Sequence, residues 1–175
     1  MNSNKVKTGG DMLELKLREL YDLESQVVKA LGKLAKKAND EELRAGFEQH
    51  QQETQEQIIR LEQVFKILDT KPRKVKLEGI RGILNDGESM LSRDTSEEVH
   101  DVLMATAARK VEHYEMACYL AAGELASQLG HTEIEELLQE SLAEEAAADK
   151  QLSHVAERLN EALLERGNMS PTATE

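Results

Sequence analysis

Four long stretches of this chain repeat apolar residues at three- and four-residue steps, and the connections between them run short, long, short. From Asp11 the apolar positions are Leu13, Leu17, Leu20, Val27, Leu31 and Leu34, which predicts a helix with one buried stripe. Asn39 and Asp40 end it and cap a second helix, where Leu43, Phe47, Ile58, Leu61 and Phe65 keep the same period to about Leu68. Thr95 with Glu98 fits a capping box opening a third helix through Leu129, with Gly130 as its C-terminal cap. Thr132 with Glu135 fits a second box, and Ile134, Leu138, Leu142, Leu152, Ala156, Leu159 and Leu163 carry a fourth helix to near Gly167. The two tight connections join antiparallel neighbours. The middle one, from about 69 to 95, is long enough to run the length of a bundle and carries a short, glycine-containing helix over Leu77–Leu91.

The fold class that follows is all-α: a four-helix bundle with one long crossover carrying a short extra helix, the connectivity of ferritin-like folds. We expect residues 1–10 to form a flexible N-terminal arm, 11–167 the bundle, and 168–175 a flexible C-terminal tail. Composition agrees, since aromatic residues are only 3% and both prolines, Pro72 and Pro171, lie outside the periodic stretches. A net charge of −12 argues against a nucleic-acid backbone as partner, and the basic run from Lys71 to Lys76 reads as a solvated linker. The chain has no apolar run long enough to cross a membrane and no signal-peptide core at its start. Its single cysteine, Cys118, cannot form an internal disulfide, so the expected location is cytoplasmic.

Each long stretch also carries an acidic cluster inside its apolar stripe. The clusters are Glu24, then His50 and Glu53, then Glu112 and Glu115, then Glu145 and Asp149. Glu24 lies 15 residues before Asn39 and Glu53 lies 14 after it, so an antiparallel hairpin puts them at nearly one height. Glu115 lies 16 before His131 and Glu145 lies 14 after it, so the second hairpin agrees. At a rise of about 1.5 Å per residue the mismatches are a few ångströms. Face agrees as well: Leu20, Glu24, Val27 and Leu31 form one seam, and Phe47, His50, Thr54 and Leu61 another, with Glu53 on its flank. On the third helix the face holds Val111, Glu115, Cys118, Ala122 and Leu125, with Glu112 close to it. On the fourth it holds Leu138, Leu142, Glu145, Asp149, Leu152 and Ala156.

Carboxylates gathered in a dry core repel one another and must take protons or partners. Carboxylate-rich sites with an imidazole suit two iron or manganese ions, which carboxylates can bridge. With 34 acids in the chain, one inward cluster is expected by chance, but four in register point to metal. Glu24, Glu53, Glu115 and Glu145 are the strongest candidate ligands. His50, Glu112 and Asp149 could ligate directly or support the ligands. Tyr21, one turn from Glu24, could donate it a hydrogen bond. His113, His131 and His154 lie off the inward faces, and Cys118 reads as an apolar filler.

The stretches Leu20–Gln26, His50–Thr54 and Val111–Glu115, with Glu144, Glu145 and Asp149, resemble the YciE/YciF-like group of bacterial ferritin-like proteins, and its YciF branch more than its YciE branch. The resemblance runs over about residues 11–160. It implies a dinuclear-metal bundle, dimeric, in a group associated with stress responses. The broader ferritin-like pattern places Glu-x-x-His on helices two and four. Here helix two reads His50-x-x-Glu53 and helix four has no histidine at that spacing, which favours manganese or a weaker site. The leading expectation is therefore a cytoplasmic homodimer holding iron or manganese that could react with oxygen or peroxide as a peroxidase or ferroxidase. The alternative is a non-enzymatic, stress-induced scaffold or interaction module with a structural metal or an empty acidic site. Iron storage would require a cage.

Overall fold

The computed structural model describes the backbone of residues 6–169 and the side chains of residues 6–165. Five helices make up its regular structure: α1 (Gly9–Lys37), α2 (Glu41–Ile67), α3 (Glu78–Leu91), α4 (Glu97–Gln128) and α5 (Thr132–Met169). α1 pairs with α2 and α4 with α5 as antiparallel hairpins. The hairpins dock through α1 against α4 and α2 against α5, and α3 lies along α4 with a slighter contact to α1. This is the expected bundle with its crossover helix. None of the described helices is long and apolar enough to cross a membrane.

The helix starts differ from the sequence reading by a residue or two, each for a local reason. α1 begins at Gly9, because Thr8 and Asp11 form a reciprocal capping box that outweighs two glycines in the first turn. The expected arm thus shortens to the residues before Thr8, and positions 1–5, like the tail after 169, lie outside the described residues. α4 is capped by Ser96, whose hydroxyl accepts from the Val99 N–H, rather than by Thr95. α5 starts at Thr132 itself, since the Glu135 N–H already bonds the His131 carbonyl.

Both long-helix exits use the same turn. Gly130 at φ 77° lets its own N–H reach Ser127 and that of His131 reach Ala126, a Schellman motif. Asp69 at φ 52° does the same after α2, with Thr70 N–H on Phe65. The crossover then lies across α1, where the Val75 N–H bonds the Arg18 carbonyl and the Leu77 N–H the Asp22 carboxylate. Its basic residues from Lys71 to Lys76 are exposed, as a solvated linker requires.

The core is aliphatic and continuous along the bundle, with Leu13, Leu17, Leu20, Phe47, Leu61, Phe65, Met104 and Ile134 essentially inaccessible. Tyr21 meets Phe65 edge to face at 5.9 Å. One buried carboxylate fixes the end of the bundle that holds the α1–α2 turn. Asp101 of α4 accepts from the Asn39 N–H, the Asn39 side-chain amide and the Asp40 N–H at 2.7–3.3 Å, stapling the α1–α2 turn to the other hairpin. Asp40 in turn caps α2 through the Leu43 N–H and accepts from Arg158 of α5. Replacing Asp101 by Ala removes the acceptor of two part-buried backbone N–H groups, and we expect a loss of about 1–3 kcal/mol in urea unfolding with little change in helicity.

Candidate metal centre

Halfway along the bundle the aliphatic core is interrupted. Glu24 from α1, His50 from α2, Glu112 and Glu115 from α4 and Glu145 from α5 all point inward, and the four carboxylates have no accessible surface. Heptad-like spacing places them there: each occupies a position on its helix's buried stripe, flanked by Leu20, Leu23 and Val27, by Phe47 and Thr54, by Val111 and Tyr119, or by Leu138 and Leu152.

Donor atoms of His50, Glu112, Glu115 and Glu145 lie within 4.8 Å of one another. His50 Nε2 is 3.0 Å from Glu112 and 3.4 Å from Glu145. The other ring nitrogen, Nδ1, sits 3.3 Å from the half-buried Glu53, which orients the ring and leaves Nε2 facing the carboxylates. Glu24 completes the group from the side, held by the buried Tyr119 hydroxyl, which donates to it at 2.7 Å. Gln57 donates to one oxygen of Glu145 and to Glu144 at the cluster's edge.

Those contacts leave much unsatisfied. One oxygen each of Glu24 and Glu112 and both oxygens of Glu115 are buried without a partner, and one oxygen each of Glu112 and Glu145 has only the shared His50 Nε2, at 3.0 and 3.4 Å. Four carboxylates face one imidazole, and the nearby buried guanidinium of Arg60 is already committed to Glu140, Ser141 and Glu144. The titration of the group reflects this imbalance. Burial, against the Tyr119 hydrogen bond, raises Glu24 to about 7. Burial, then repulsion from their neighbours, holds Glu115 and Glu145 well above the usual carboxylate range. Burial alone would push His50 down, but the Glu112 charge and hydrogen bonds to Glu112 and Glu53 lift it to about 11. A cluster of acceptor atoms that cannot be neutralised by the chain's own cations fits a hard metal ion.

Two residues predicted for the site stand apart from the four that meet. Glu53 is partly exposed and acts on His50 Nδ1. Asp149 is bound by Arg109 at 2.8 Å, with His113 at 3.4 Å. The inward stripe of α5 runs through Leu138, Ser141, Glu145, Ala148 and Leu152, so Asp149 falls on its flank. Tyr21 turns to Glu62 rather than to Glu24. The residues that sequence reasoning missed are Tyr119 and Gln57. Both carried a signal: Tyr119 is four residues after Glu115, and Gln57 seven after His50, at helical repeats of the buried face. Cys118 is half-buried beside that face, its thiol pushed up to about 11 by burial. His113 is exposed.

A four-helix bundle with a crossover helix and a buried His/Glu cluster at its midpoint defines a ferritin-like helical protein. The chain belongs to the family described as a domain of unknown function, DUF892, which matches residues 8–165. It is 36% identical over 152 residues to Protein YciF of Escherichia coli K12, covering 86% of this chain and 92% of that protein. The crystal structure of the E. coli stress protein YciF superposes with a TM-score of 0.85 at 34% identity, covering 89% of this chain and 99% of the other. A Rhodopseudomonas palustris protein named YcfI gives 0.84 at 37% identity, covering 87% and 98%. A Xanthomonas campestris protein shares the fold at 20% identity, with a TM-score of 0.72 over 93% and 100%. The YciF-like resemblance read from the motifs is thereby established.

The raised acids set a pH dependence. Their protonated forms are favoured only in the folded state, so their stabilisation is complete below the ordinary carboxylate range and is lost as pH rises through the raised values, about 7 for Glu24. His50, raised to about 11, stays charged in the fold throughout that window, and its contribution is lost in the same direction as pH rises above 6.5. Metal-free protein should therefore lose urea stability steadily between about pH 5 and 8. Because ligation requires ionised carboxylates, the gain in melting temperature on adding Mn(II) should grow over that interval.

Proposed function

We propose that the buried cluster binds two iron or manganese ions and that the loaded protein reacts with oxygen or peroxide. The observation that supports this reading is the set of underpaired carboxylate oxygens: four buried oxygens of Glu24, Glu112 and Glu115 have no partner, and two more, of Glu112 and Glu145, share the one His50 Nε2. Native cores keep very few such atoms, and each left unpaired costs about 1–3 kcal/mol. Hard, divalent cations are the partners that satisfy many anionic oxygens and one imidazole together. Glu112 would be the central ligand of the group, since its charge acts on Glu24, Glu115, Glu145 and His50 alike. His50 Nε2, Glu24, Glu115 and Glu145 would supply the remaining donors.

Such ions supply redox chemistry toward oxygen or peroxide when bound. The chain's own contribution is to hold the donors rigid. Glu53 fixes the His50 ring, Tyr119 fixes Glu24, and Gln57 fixes Glu145. The aliphatic layers above and below exclude bulk water. The same reading takes the protein as a cytoplasmic homodimer with a place in stress responses, the E. coli relative YciF being described as a stress protein.

Elemental analysis of purified protein beside a Glu115→Gln/Glu145→Gln variant tests this. We expect about two ions per chain in the wild type and far fewer in the variant, with peroxide changing the absorption spectrum of the loaded wild type alone. Protein that stays metal-free after anaerobic reconstitution with Fe(II) and Mn(II) would overturn the reading in favour of a scaffold. In that case the cluster would be stabilised by shared protons and the His50 imidazolium.

A further inference from the structure

A cleft of about 630 Å³ opens between α1, α3 and α4, on the flank of the bundle where the crossover helix fails to close fully over α1. α3 leans on α4, with the buried Gly87 packed beside Ala107. On its other side α3 stands off from α1, and the space between them is the cleft. Its walls are aliphatic, including Val27, Leu31, Leu34, Leu84, Leu91 and Val111, and no aromatic ring contributes to the lining.

The mouth has the opposite character. Lys29, Lys33 and Lys37 recur every fourth residue along the exposed edge of α1, a row about 12 Å long. Lys33 reaches across to Glu88 of α3 at 3.2 Å. Lys29 and Lys37 make no ion pair among the described residues, although the chain carries a net charge of −12. An acidic protein that sets unpaired cations beside an open aliphatic cleft has built a site with two ends.

We infer that this cleft binds an amphiphilic carboxylate, a fatty acid or a molecule of that type, with its alkyl chain between α1 and α3 and its anionic head among the lysines of α1. The volume lies within the range of small-molecule sites, and the lining selects among ligands. Walls without aromatic rings, and with few hydrogen-bonding groups below the rim, give a nucleobase or sugar little to stack on or bond to. A flexible alkyl chain needs only dispersion and exclusion of water. The three ammonium groups then supply a head-group preference that is screened by salt. This inference stands on the cleft and does not require metal.

Titrating full-length, metal-free protein with cis-parinaric acid, a fluorescent polyene carboxylate, tests the assignment. A single saturable site is expected, with affinity falling in high salt and weaker for the methyl ester of the same probe. Ala30→Phe on the α1 wall and Leu84→Trp on the α3 wall both fill the cleft without entering the bundle core, and each should weaken binding at least about tenfold. Lys29→Glu/Lys37→Glu should weaken the acid by roughly three- to tenfold and leave the ester unchanged. All variants are checked for helicity and melting temperature, and sedimentation is run in parallel. The inference is overturned by absence of saturable binding, by equal affinity for acid and ester, or by binding that both filled variants retain. It is also overturned if Ala30→Phe instead dissociates a dimer, since the cleft would then be covered by a second copy of the chain.

Discussion

Four buried glutamates around one histidine are the constraint on which the rest of the bundle depends. Taking charge out of water is expensive, and here the deficit is not repaired by the chain's own cations. The arrangement survives because the surrounding core is long and well packed. Leu13, Leu17, Leu20 and Leu23 on α1 with Leu61 and Phe65 on α2 form apolar layers to one side of the cluster, and Val27 and Leu31 with Leu43 and Phe47 form them to the other. A helix bundle suits this task because it can absorb an unfavourable layer midway while its ends stay apolar. The second buried carboxylate, Asp101, shows the contrast. It is fully engaged by backbone donors and stabilises the fold outright.

Much of this was legible in the sequence. The short–long–short connections dictated the topology, and counting residues from each turn brought Glu24 level with Glu53, the neighbour of His50 one turn on, and Glu115 level with Glu145. Height depends only on rise per residue, which varies little. Face proved harder, because a heptad-like stripe drifts around a straight helix. On α4 the buried line is Glu112, Glu115, Tyr119, Ala122 and Ala126, a turn away from the line through Cys118 and Leu125. That drift explains why Tyr119 was passed over and why Asp149 was placed inward although Ala148 is the buried neighbour. The capping residues slipped for a related reason. Thr95 and Ser96 are both good caps, and only the backbone path decides between them.

The polar residues supporting the cluster are as informative as the cluster itself. Tyr119, Gln57 and Glu53 each hold one member, Glu24, Glu145 and His50 respectively. None of the three bonds Glu112 or Glu115, and Glu115 keeps both oxygens free while Glu112 meets only the His50 imidazole through one of its own. The site is thus rigid at its periphery and open at its centre, which is the distribution that a guest requires. Arg60 marks the boundary of that region by tying Ser141, Glu140 and Glu144 together beyond Gln57.

The placement of the cluster between the hairpins bears on assembly of the fold. Glu24 and His50 come from the α1–α2 hairpin, and Glu112, Glu115 and Glu145 from the α4–α5 hairpin. Each hairpin closes locally through a tight turn, whereas their union spans the crossover and must close a long loop. A guest at the midpoint would act as a clasp between two preformed halves. Its departure would loosen the seam between them first, leaving each pair of helices intact.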